Sequence, residues 1–575
     1  MSGDAAMGDI DLADLARKLR SGDDDDYVNA CETIHEHAGQ NIDAKLYLVR
    51  GGMVALVVPL VASPALDVAA AAARVMHSLS VTPDGCNAIC DAEGVDALIA
   101  GCTADSPLLS QRCAGAVANL AIQTPSAVAV VRAGGIPVTV RLLGSDDQVM
   151  VQQACRAVFA LAGTESNRVP LVTEGALPGL LECARSVSSH LRGYALGALA
   201  NLAISRPLLR QIWDMGVLDV LVPQLGERPR VAQQALRLLS YLTLEPNTRA
   251  RVVATGCLPV VAESLASESR DVRRHAASCL EHVAHSKDLL VALVDAGVVP
   301  PLMNTMEHDT EPSPKKHALR ALLTMSSSEY VTDALLAWDG VAALFRLLKH
   351  DPETARNAAC TLANIAMGNE EKKDAVAGDG RMMAILELAA TGPLMLQEQC
   401  ARCLFNLTSV AKSQHHFEVD GAFETLVKLM EGGESFVLRH HSAGALVNLS
   451  TERRMWHRIG QAGCVPAFAR AIWTESDGLR QRASKGMRAL GVRDIVLMYV
   501  HSEARQMQVN MSQMLRDGDF ADCEFHCRGA APVAAHRVVV CARSAPLRRV
   551  LFDRLASSGG AGGGAAGGGG GGGGG

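Results

Sequence analysis

Along most of the chain, apolar residues recur with a helical period of 3.6 and are interrupted by short polar loops. A representative stretch places the apolar segment IPVTVRLL before the polar loop GSDDQ, which is followed by VQQACRAVFALAG with its apolar residues on one helical face. No strand-like alternation interrupts this succession before about residue 510. The pattern therefore predicts an all-α arrangement in which short and long helices alternate.

A glycine opens each copy of this pattern. Eleven such glycines follow one another at intervals of 40 to 43 residues: Gly51, Gly94, Gly134, Gly175, Gly216, Gly256, Gly297, Gly340, Gly380, Gly421 and Gly463. A glycine suits the left-handed end of a helix, and a proline in the next first turn costs little. Prolines follow five of these glycines at Pro137, Pro178, Pro259, Pro300 and Pro466. The spacing predicts eleven helical repeats over residues 51–502 and a poorer, capping copy over residues 10–50.

Five repeats share a signature near the end of the long helix. It reads AVANLA at 116–121, ALANLA at 198–203, TLANIA at 361–366, CLFNLT at 403–408 and ALVNLS at 445–450. With the period, this Ala-Leu-x-Asn-Leu-Ala pattern resembles the armadillo family, whereas HEAT repeats, the nearest alternative, lack the asparagine. The resemblance covers roughly residues 10–502. It implies a right-handed superhelical solenoid that binds partner proteins along its concave surface.

The resemblance also implies which residues line the binding groove. The family's groove asparagines correspond to Asn119, Asn201, Asn364, Asn406 and Asn448. An amide side chain offers donors and an acceptor, so a row of amides can hold an extended peptide by its main chain. The alternative is a structural role in which each asparagine bonds its own helix end or a neighbouring repeat.

Basic and small residues alternate between repeats one helical turn before the asparagine position, on the same face. The basic positions are Arg156, Arg237, Arg320, Arg402 and Lys485, and the small ones are Gly115, Gly197, Ser278, Cys360 and Gly444. An arginine-lined groove resembles the arrangement of β-catenin and favours acidic or phosphorylated extended ligands. The competing interpretation is that these arginines pair with Glu and Asp of neighbouring repeats. The glycines leave room either for a ligand backbone or for close helix packing.

Nuclear-import armadillo receptors typically carry a tryptophan at the place where this chain alternates basic and small residues. The four tryptophans, Trp213, Trp338, Trp456 and Trp473, fall elsewhere. The resemblance to the armadillo family therefore extends less well to the import receptors.

A different segment follows the repeats. Residues 512–556 resemble the beginning of a BTB/POZ domain: Asp519-Phe520-Ala521-Asp522 leads into a short predicted strand, and Ala535-His536-Arg537 and a Ser-x-x-x-Arg helix follow. The similarity stops at less than half of that domain. We expect residues 1–9 to be disordered, 503–511 to form a linker, and the glycine-rich 557–575 to be disordered. The order of the two segments resembles the plant and algal ARM–BTB adaptors, which recruit a ubiquitin ligase.

Composition narrows the function further. Hydrophobic residues make up 49% and aromatic residues 3%, which suits close packing of small aliphatic side chains. The formal net charge of −7 argues against general nucleic-acid binding. The chain carries no P-loop, GxSxG or HExxH motif. The pair Cys400 and Cys403 lacks the second pair that a zinc site needs. We predict no catalysis, no cofactor and no metal.

The first hypothesis is a scaffold or adaptor of the cytoplasm or nucleus whose groove binds acidic extended segments of proteins. If the BTB segment is functional, the adaptor serves a cullin-type ubiquitin ligase. The second hypothesis is a structural armadillo protein of the ciliary, junctional or vacuolar kind. The third, a nuclear transport receptor, is disfavoured by the tryptophan positions. The acidic N-terminus and the interrupted apolar runs predict neither a signal peptide nor a membrane span.

Overall fold

The computed structural model of the chain describes residues 10–472, 477–490, 523–525 and 533–535. Helices make up nearly all of this part, as predicted. The chain divides into two compact units, Met1–Leu289 and Leu290–Gly575. In each unit, the helices of the described residues form a stack of repeats.

Over residues 10–289, the first unit contains twenty α-helices and four short 3₁₀ helices. The α-helices are α1 (Leu12–Lys18), α2 (Asp24–Gln40), α3 (Ile42–Arg50), α4 (Met53–Val57), α5 (Leu66–Leu79), α6 (Pro83–Asp91), α7 (Gly94–Gly101), α8 (Pro107–Leu120), α9 (Thr124–Arg132), α10 (Gly135–Leu142), α11 (Gln148–Ala162), α12 (Glu165–Thr173), α13 (Ala176–Ala184), α14 (Ser189–Ala203), α15 (Arg206–Asp214), α16 (Val217–Leu221), α17 (Pro229–Leu242), α18 (Pro246–Ala254), α19 (Leu258–Glu263) and α20 (Arg270–Ala284). The 3₁₀ helices are Val58–Ala62, Val222–Gln224, Ser264–Ala266 and Lys287–Leu289.

The described part of the second unit contains fourteen α-helices, two 3₁₀ helices and two strands. The α-helices are α21 (Leu290–Asp295), α22 (Val299–His308), α23 (Pro312–Met325), α24 (Glu329–Ala337), α25 (Gly340–Leu347), α26 (Pro352–Ile365), α27 (Glu370–Ala377), α28 (Arg381–Thr391), α29 (Leu394–Leu407), α30 (Ala422–Gly432), α31 (Phe436–Leu449), α32 (Trp456–Gln461), α33 (Cys464–Ile472) and α34 (Asp477–Ala489). The 3₁₀ helices are Ala411–Phe417 and Arg453–Met455; the strands are β1 (Cys523–Phe525) and β2 (Val533–Ala535).

A typical repeat has three helices, one more than the pair read from the sequence. The additional helix lies between the long helix and the next glycine, as α9 does between α8 and Gly134. Prolines explain the break between the long helix and this additional helix in four repeats, because a proline is the first or second residue of α6, α9, α15 and α18. A proline there lacks only an N–H that has no partner in the first turn, so the chain ends one helix and starts the next.

The long helices of successive repeats pack on one another within each unit. In the first unit they are α2, α5, α8, α11, α14, α17 and α20, and in the second α23, α26, α29, α31 and α34. Alanines such as Ala72, Ala116, Ala118, Ala198 and Ala200 are fully buried on these helices. Short side chains let neighbouring axes approach closely, which accounts for a core built with few aromatic residues.

Eight of the eleven predicted glycines adopt the left-handed conformation, and the five predicted prolines lie within the first three residues of the following helix. Three repeats differ. Gly52 takes this role beside Gly51, and Glu93 and Asp339, both at φ 57°, take it before Gly94 and Gly340. The turn is therefore general, but its left-handed residue is displaced by one position in these repeats.

Replacing Glu93 by glycine should stabilise the first unit locally. A side chain in the left-handed region costs about 1–2 kcal/mol, part of which is offset by the greater freedom of glycine in the unfolded chain. We expect Glu93→Gly to raise the opening free energy of α7 by about 0.5–1 kcal/mol in amide hydrogen exchange. The control Glu93→Ala keeps the unfavourable backbone and should give no gain; an equal gain would contradict the explanation.

The predicted BTB segment is described only at two strands. β1 and β2 pair antiparallel, with Cys523 opposite Ala535 and Phe525 opposite Val533. The remainder of 512–556, and residues 1–9, 503–511 and 557–575, lie outside the described residues. The BTB assignment therefore stays a prediction.

Among the described residues, no single helix is long and apolar enough to cross a membrane, and two sharply bent helix pairs reach that length and composition only when joined. The apolar stretch 53–75 divides between α4, the 3₁₀ helix Val58–Ala62 and α5.

Candidate functional site

All five signature asparagines donate a hydrogen bond to the repeat before their own. In the first unit, Asn119 Nδ2 lies 3.0 Å from Ser80 Oγ and 3.3 Å from His77 O, and Asn201 Nδ2 lies 3.0 Å from Phe159 O. Both asparagines are only 7% exposed. These amides join neighbouring long helices.

The second unit repeats this arrangement. Asn364 donates to Ser326 Oγ at 2.9 Å, and Asn406 donates to Ala363 O at 2.7 Å. Asn448 donates to Thr408 Oγ1 at 3.1 Å and approaches Phe405 O at 3.5 Å. All five asparagines therefore make a hydrogen bond to a neighbouring repeat, which is the structural role that was the alternative to peptide binding.

Three of the predicted basic residues bond the asparagine of the preceding repeat. Arg156 Nη2 lies 2.8 Å from Asn119 Oδ1, and Arg402 Nη2 lies 2.9 Å from Asn364 Oδ1. Arg237 Nη2 donates to Asn201 Oδ1 in the same way. Arg320 and Lys485 are exposed. The long helices of each unit thus share an asparagine–arginine ladder.

The alternation of small and basic residues has a packing explanation. Arg156 Nη2 also donates to the carbonyl of Gly115 at 3.2 Å, and Arg402 Nη2 donates to that of Cys360 at 3.0 Å. A small side chain one turn before the asparagine leaves this carbonyl open to the guanidinium of the next repeat. Arg156, Arg237 and Arg402 do pair with neighbouring repeats, but with amides and carbonyls rather than with the Glu and Asp of the competing interpretation.

The glycines at the small positions receive an aromatic ring. A Cβ added to Gly115 would lie 2.7 Å from the His77 ring, and one added to Gly197 would lie 2.7 Å from the Phe159 ring. At Gly444 the added Cβ would meet Phe405 at 2.7 Å and also Arg482. Each ring comes from the preceding long helix. Close packing therefore occupies the space that a ligand backbone would need.

Gly197→Ala should destabilise the first unit although alanine favours helices by about 1 kcal/mol over glycine. The methyl group would overlap Phe159, and overpacking of this kind costs about 1–3 kcal/mol. Gly193, on the same helix, is the matched control, because an added Cβ there has no neighbour closer than 3.9 Å. We expect a lower melting temperature for Gly197→Ala and an unchanged or higher one for Gly193→Ala. The double variant Phe159→Leu/Gly197→Ala should melt at a higher temperature than Gly197→Ala, because the smaller side chain relieves the overlap.

The electrostatic character of the long-helix face is visible when same-side positions are grouped. We define this face as the asparagine position and the residues four, seven, eight and eleven before it. In the first unit, from α5 to α20, its charged residues are the basic Arg74, Arg112, Arg156, Arg230, Arg237 and Arg274 and the acidic Asp67 and Asp271. The face is basic although the whole chain carries −7.

The same definition gives the same balance in the second unit. From α23 to α34 the charged residues are the basic Lys316, Arg320, Arg356, Arg402, Arg482 and Lys485 and the acidic Glu353 and Glu398. A basic face on an acidic protein attracts anionic partners selectively.

Most of the arginines of this face in the first unit keep their charge unneutralised. Arg74 approaches Glu32 at 3.8 Å and Arg274 approaches Asp271 at 3.2 Å. Within the described residues, no carboxylate lies within 4.0 Å of the other four, which are Arg112, Arg156, Arg230 and Arg237. Arg230 instead stacks over Tyr194, with Cζ 4.8 Å from the ring centroid. Burial lowers the pKa of Arg156, as expected for a cation without a counter-ion.

Sequence reasoning identified only some of the basic residues of this face; it missed Arg74 and Arg112, and it missed His77 beside the face. Arg74 extends the basic–small alternation by one repeat, and the repeat spacing alone could have identified it. Arg112 and His77 are marked by no motif, because their environment arises from helices of different repeats.

Other candidates from the sequence have structural positions. Burial raises the pKa of Cys400 to about 12 and that of Cys403 further, so both thiols stay protonated. Trp213, Trp338 and Trp456 lie outside the long helices, and Trp473 is outside the described residues. Where the structure describes the chain, no group of three or more His, Cys, Asp or Glu side chains could hold a metal ion.

The fold and the ladder define a helical-repeat protein whose long helices form one continuous face in each unit. Residues 124–162, which are one complete repeat from α9 to α11, match the Armadillo/beta-catenin-like repeat family. This match and the stacked helical repeats support the armadillo-type architecture that the sequence resemblance implied.

Two curated relatives match part of the chain at low identity. Importin subunit alpha-1a of Oryza sativa subsp. japonica is 25% identical over 267 residues, which are 45% of this chain and 51% of that protein. Importin subunit alpha-3 of Arabidopsis thaliana is 27% identical over 246 residues, 41% of this chain and 46% of that protein. The chain thus spans about half the length of these relatives.

Solved structures extend the likeness over most of the chain. A crystal structure of an engineered protein matches with a TM-score of 0.56 and 26% identity, over 76% of this chain and 98% of that one. A chain from a study of a phosphorylation switch in the interaction of cadherin with beta-catenin matches with a TM-score of 0.68 and 13% identity, over 84% and 99%. The second likeness shows an armadillo fold alone.

Proposed function

We propose that this chain is a protein-binding scaffold whose long-helix faces bind acidic, extended segments of partner proteins. The observation that supports it most is the set of four arginines in the first unit that have no carboxylate partner. The chain has more acidic than basic residues, with a net charge of −7, yet none of its described acidic side chains pairs with these arginines. A carboxylate-bearing ligand would supply the missing counter-ions.

The ladder positions the arginines for such a ligand. Arg156, Arg237 and Arg402 each use Nη2 for the ladder, while a guanidinium has five N–H donors in all. Long helices of neighbouring repeats stack at about 8–10 Å, and an extended chain advances roughly 3.3 Å per residue. Arginines two repeats apart therefore suit acidic side chains about five or six residues apart.

The asparagines have a smaller part in this proposal than the family resemblance implied. Each signature amide already donates to the preceding repeat, and three also accept from an arginine. At Asn201, Asn364 and Asn406 the Nδ2 group has one such acceptor, so its second N–H is left for a peptide carbonyl. At Asn119 and Asn448 it approaches two acceptors, and a peptide would have to compete with them. We propose Asn119, Asn201, Asn364, Asn406 and Asn448 as secondary contacts, and Arg156, Arg237, Arg320, Arg402 and Lys485 as the main ones.

The test is capture of acidic, phosphorylated and basic peptides by the full chain at two salt concentrations. In the variant Arg156→Gln/Arg237→Gln, both positive charges are removed while each position keeps a neutral amide donor. We expect acidic peptides to bind the wild type in a salt-sensitive manner. The variant should bind them about ten- to a hundredfold more weakly, since each hydrogen bond to a charged group contributes about 1.5–3 kcal/mol, with losses smaller at solvent-exposed positions.

The matched control removes the same charge elsewhere in the first unit. Arg132→Gln/Arg210→Gln acts on the short helices α9 and α15. Equal weakening in the control would show an effect of net charge alone. Undiminished binding to Arg156→Gln/Arg237→Gln, with an unchanged melting temperature, would restrict these arginines to the ladder and defeat the proposal.

Two roles for such a scaffold follow from the sequence. As an adaptor for a cullin-type ubiquitin ligase, in the cytoplasm or nucleus, it would depend on the predicted BTB segment 512–556. As a structural armadillo protein of the ciliary, junctional or vacuolar kind, it would not. Co-purification of a cullin scaffold with the full chain, lost when residues 512–575 are removed, distinguishes the first role from the second.

The relatives named importin subunit alpha support a second candidate, a nuclear transport receptor. Against it stand the basic long-helix faces, which would repel a lysine-rich cargo segment. The basic peptides of the capture assay decide between the two. Binding of basic rather than acidic peptides would replace the scaffold proposal with the transport role.

A further inference from the structure

Arg112 stands out in the first unit because it has neither an ion-pair nor a hydrogen-bond partner among the described residues. It lies on α8, is half-buried, and its Nε is buried without a partner. Buried donors of native proteins are nearly always satisfied, and an exception calls for an explanation such as a missing ion or ligand. An unpaired charged donor that is removed from water also costs several kcal/mol in general.

Two other side chains with unused nitrogen atoms lie beside Arg112. Arg156 Nε is likewise buried without a partner, while its Nη2 reaches the carbonyl of Gly115 at 3.2 Å. The His77 ring packs on Gly115, one turn along α8 from Arg112, and a Cβ on that glycine would lie 2.7 Å from His77 Nε2. Three long helices, α5, α8 and α11, thus place His77, Arg112 and Arg156 around one turn of α8, between residues 112 and 115.

The electrostatics of His77 report the same convergence. Burial, Arg112, Arg156 and His35 lower its pKa to about 4, so the imidazole is neutral at pH 7. The Nδ1 atom of His35 lies 2.7 Å from the Oγ atom of Ser78. Burial is the main cause of the lowered His77 pKa; the two arginines and His35 add to it, and no acidic side chain opposes them at His77.

We propose that Arg112, Arg156 and His77 form an anion subsite that takes the phosphate monoester of a phosphorylated partner segment. Two guanidinium forks and an imidazole match the three terminal oxygens of a phosphate better than the two oxygens of a carboxylate. A phosphate also carries about −1.5 to −2 charge at pH 7, which balances two arginines. The subsite rests on the proposed function, since it selects phosphorylated segments among the acidic ones.

Arg112→Gln is the decisive variant, because Arg112 makes no intramolecular bond that the substitution would break. We expect its melting temperature to be unchanged or higher. The probes are inorganic phosphate and a short Asp-Gly-Ser peptide with one phosphoserine, compared with the same peptide carrying aspartate there. Arg132→Gln is the matched control: it removes one charge from the end of α9, away from the cluster.

For the wild type and the control, we expect the phosphoserine peptide to bind about tenfold or more tightly than its aspartate counterpart. Arg112→Gln should abolish that preference, a loss of about ten- to a hundredfold for a charge-assisted contact. Histidine NMR of the full chain gives an independent readout. Inorganic phosphate should raise the pKa of His77 by about one unit or more, because a nearby anion favours the charged imidazole. Arg112→Gln should lack this response.

The subsite is overturned if Arg112→Gln keeps the phosphoserine preference, or if phosphate leaves the His77 titration unmoved. These outcomes are separable from a failure of the scaffold proposal. If acidic peptides bind through Arg156 and Arg237 without any preference for phosphoserine, the subsite is wrong and the scaffold proposal stands. If phosphate raises the pKa of His77 but acidic peptides do not bind, the scaffold role is wrong and the anion subsite stands.

Discussion

The hydrogen bond from a signature asparagine to the preceding repeat sets the register of each unit. The amide is almost buried at Asn119 and Asn201, so an unmade bond would cost about 1–3 kcal/mol. At Asn119, Asn201 and Asn364 the same amide also accepts from the arginine of the following repeat, so one side chain connects three successive long helices. A long helix cannot slide along its neighbours without breaking these contacts.

The small side chains are a consequence of this ladder. The guanidinium of Arg156 reaches Asn119 by passing over Gly115, whose carbonyl it also bonds. On its other side, Gly115 receives the ring of His77. A larger residue would separate the long helices, lengthen the asparagine bond and exclude the arginine. Packing and hydrogen bonding therefore require the same small residue, which explains why small and basic positions alternate between repeats.

The ladder also leaves charge available on the long-helix face. It satisfies arginines with neutral oxygen atoms, and neutral partners hold a guanidinium in place without cancelling its charge. A surface built from ion pairs would be equally well ordered, but the paired carboxylates would neutralise the charge of the arginines. The structural and binding interpretations of the arginines are thus compatible, since Nη2 orders the repeats while other donors of the group, such as the buried Nε of Arg156 and Arg402, have no partner in the protein.

The sequence by itself determined the repeat length, the helical class, the left-handed turns and the residues of the ladder. These features are local: a glycine, a proline or an asparagine acts within its own turn, and a period of about 41 residues makes each local signal recur. It did not reveal the third helix as a separate element, nor the partners of Arg156 and Arg237. Only the tertiary structure placed Arg112 beside His77 and Arg156, because these residues lie on three long helices that meet only when successive repeats stack. Whether an arginine finds a carboxylate, an amide or no partner depends on that stacking, which no single repeat encodes.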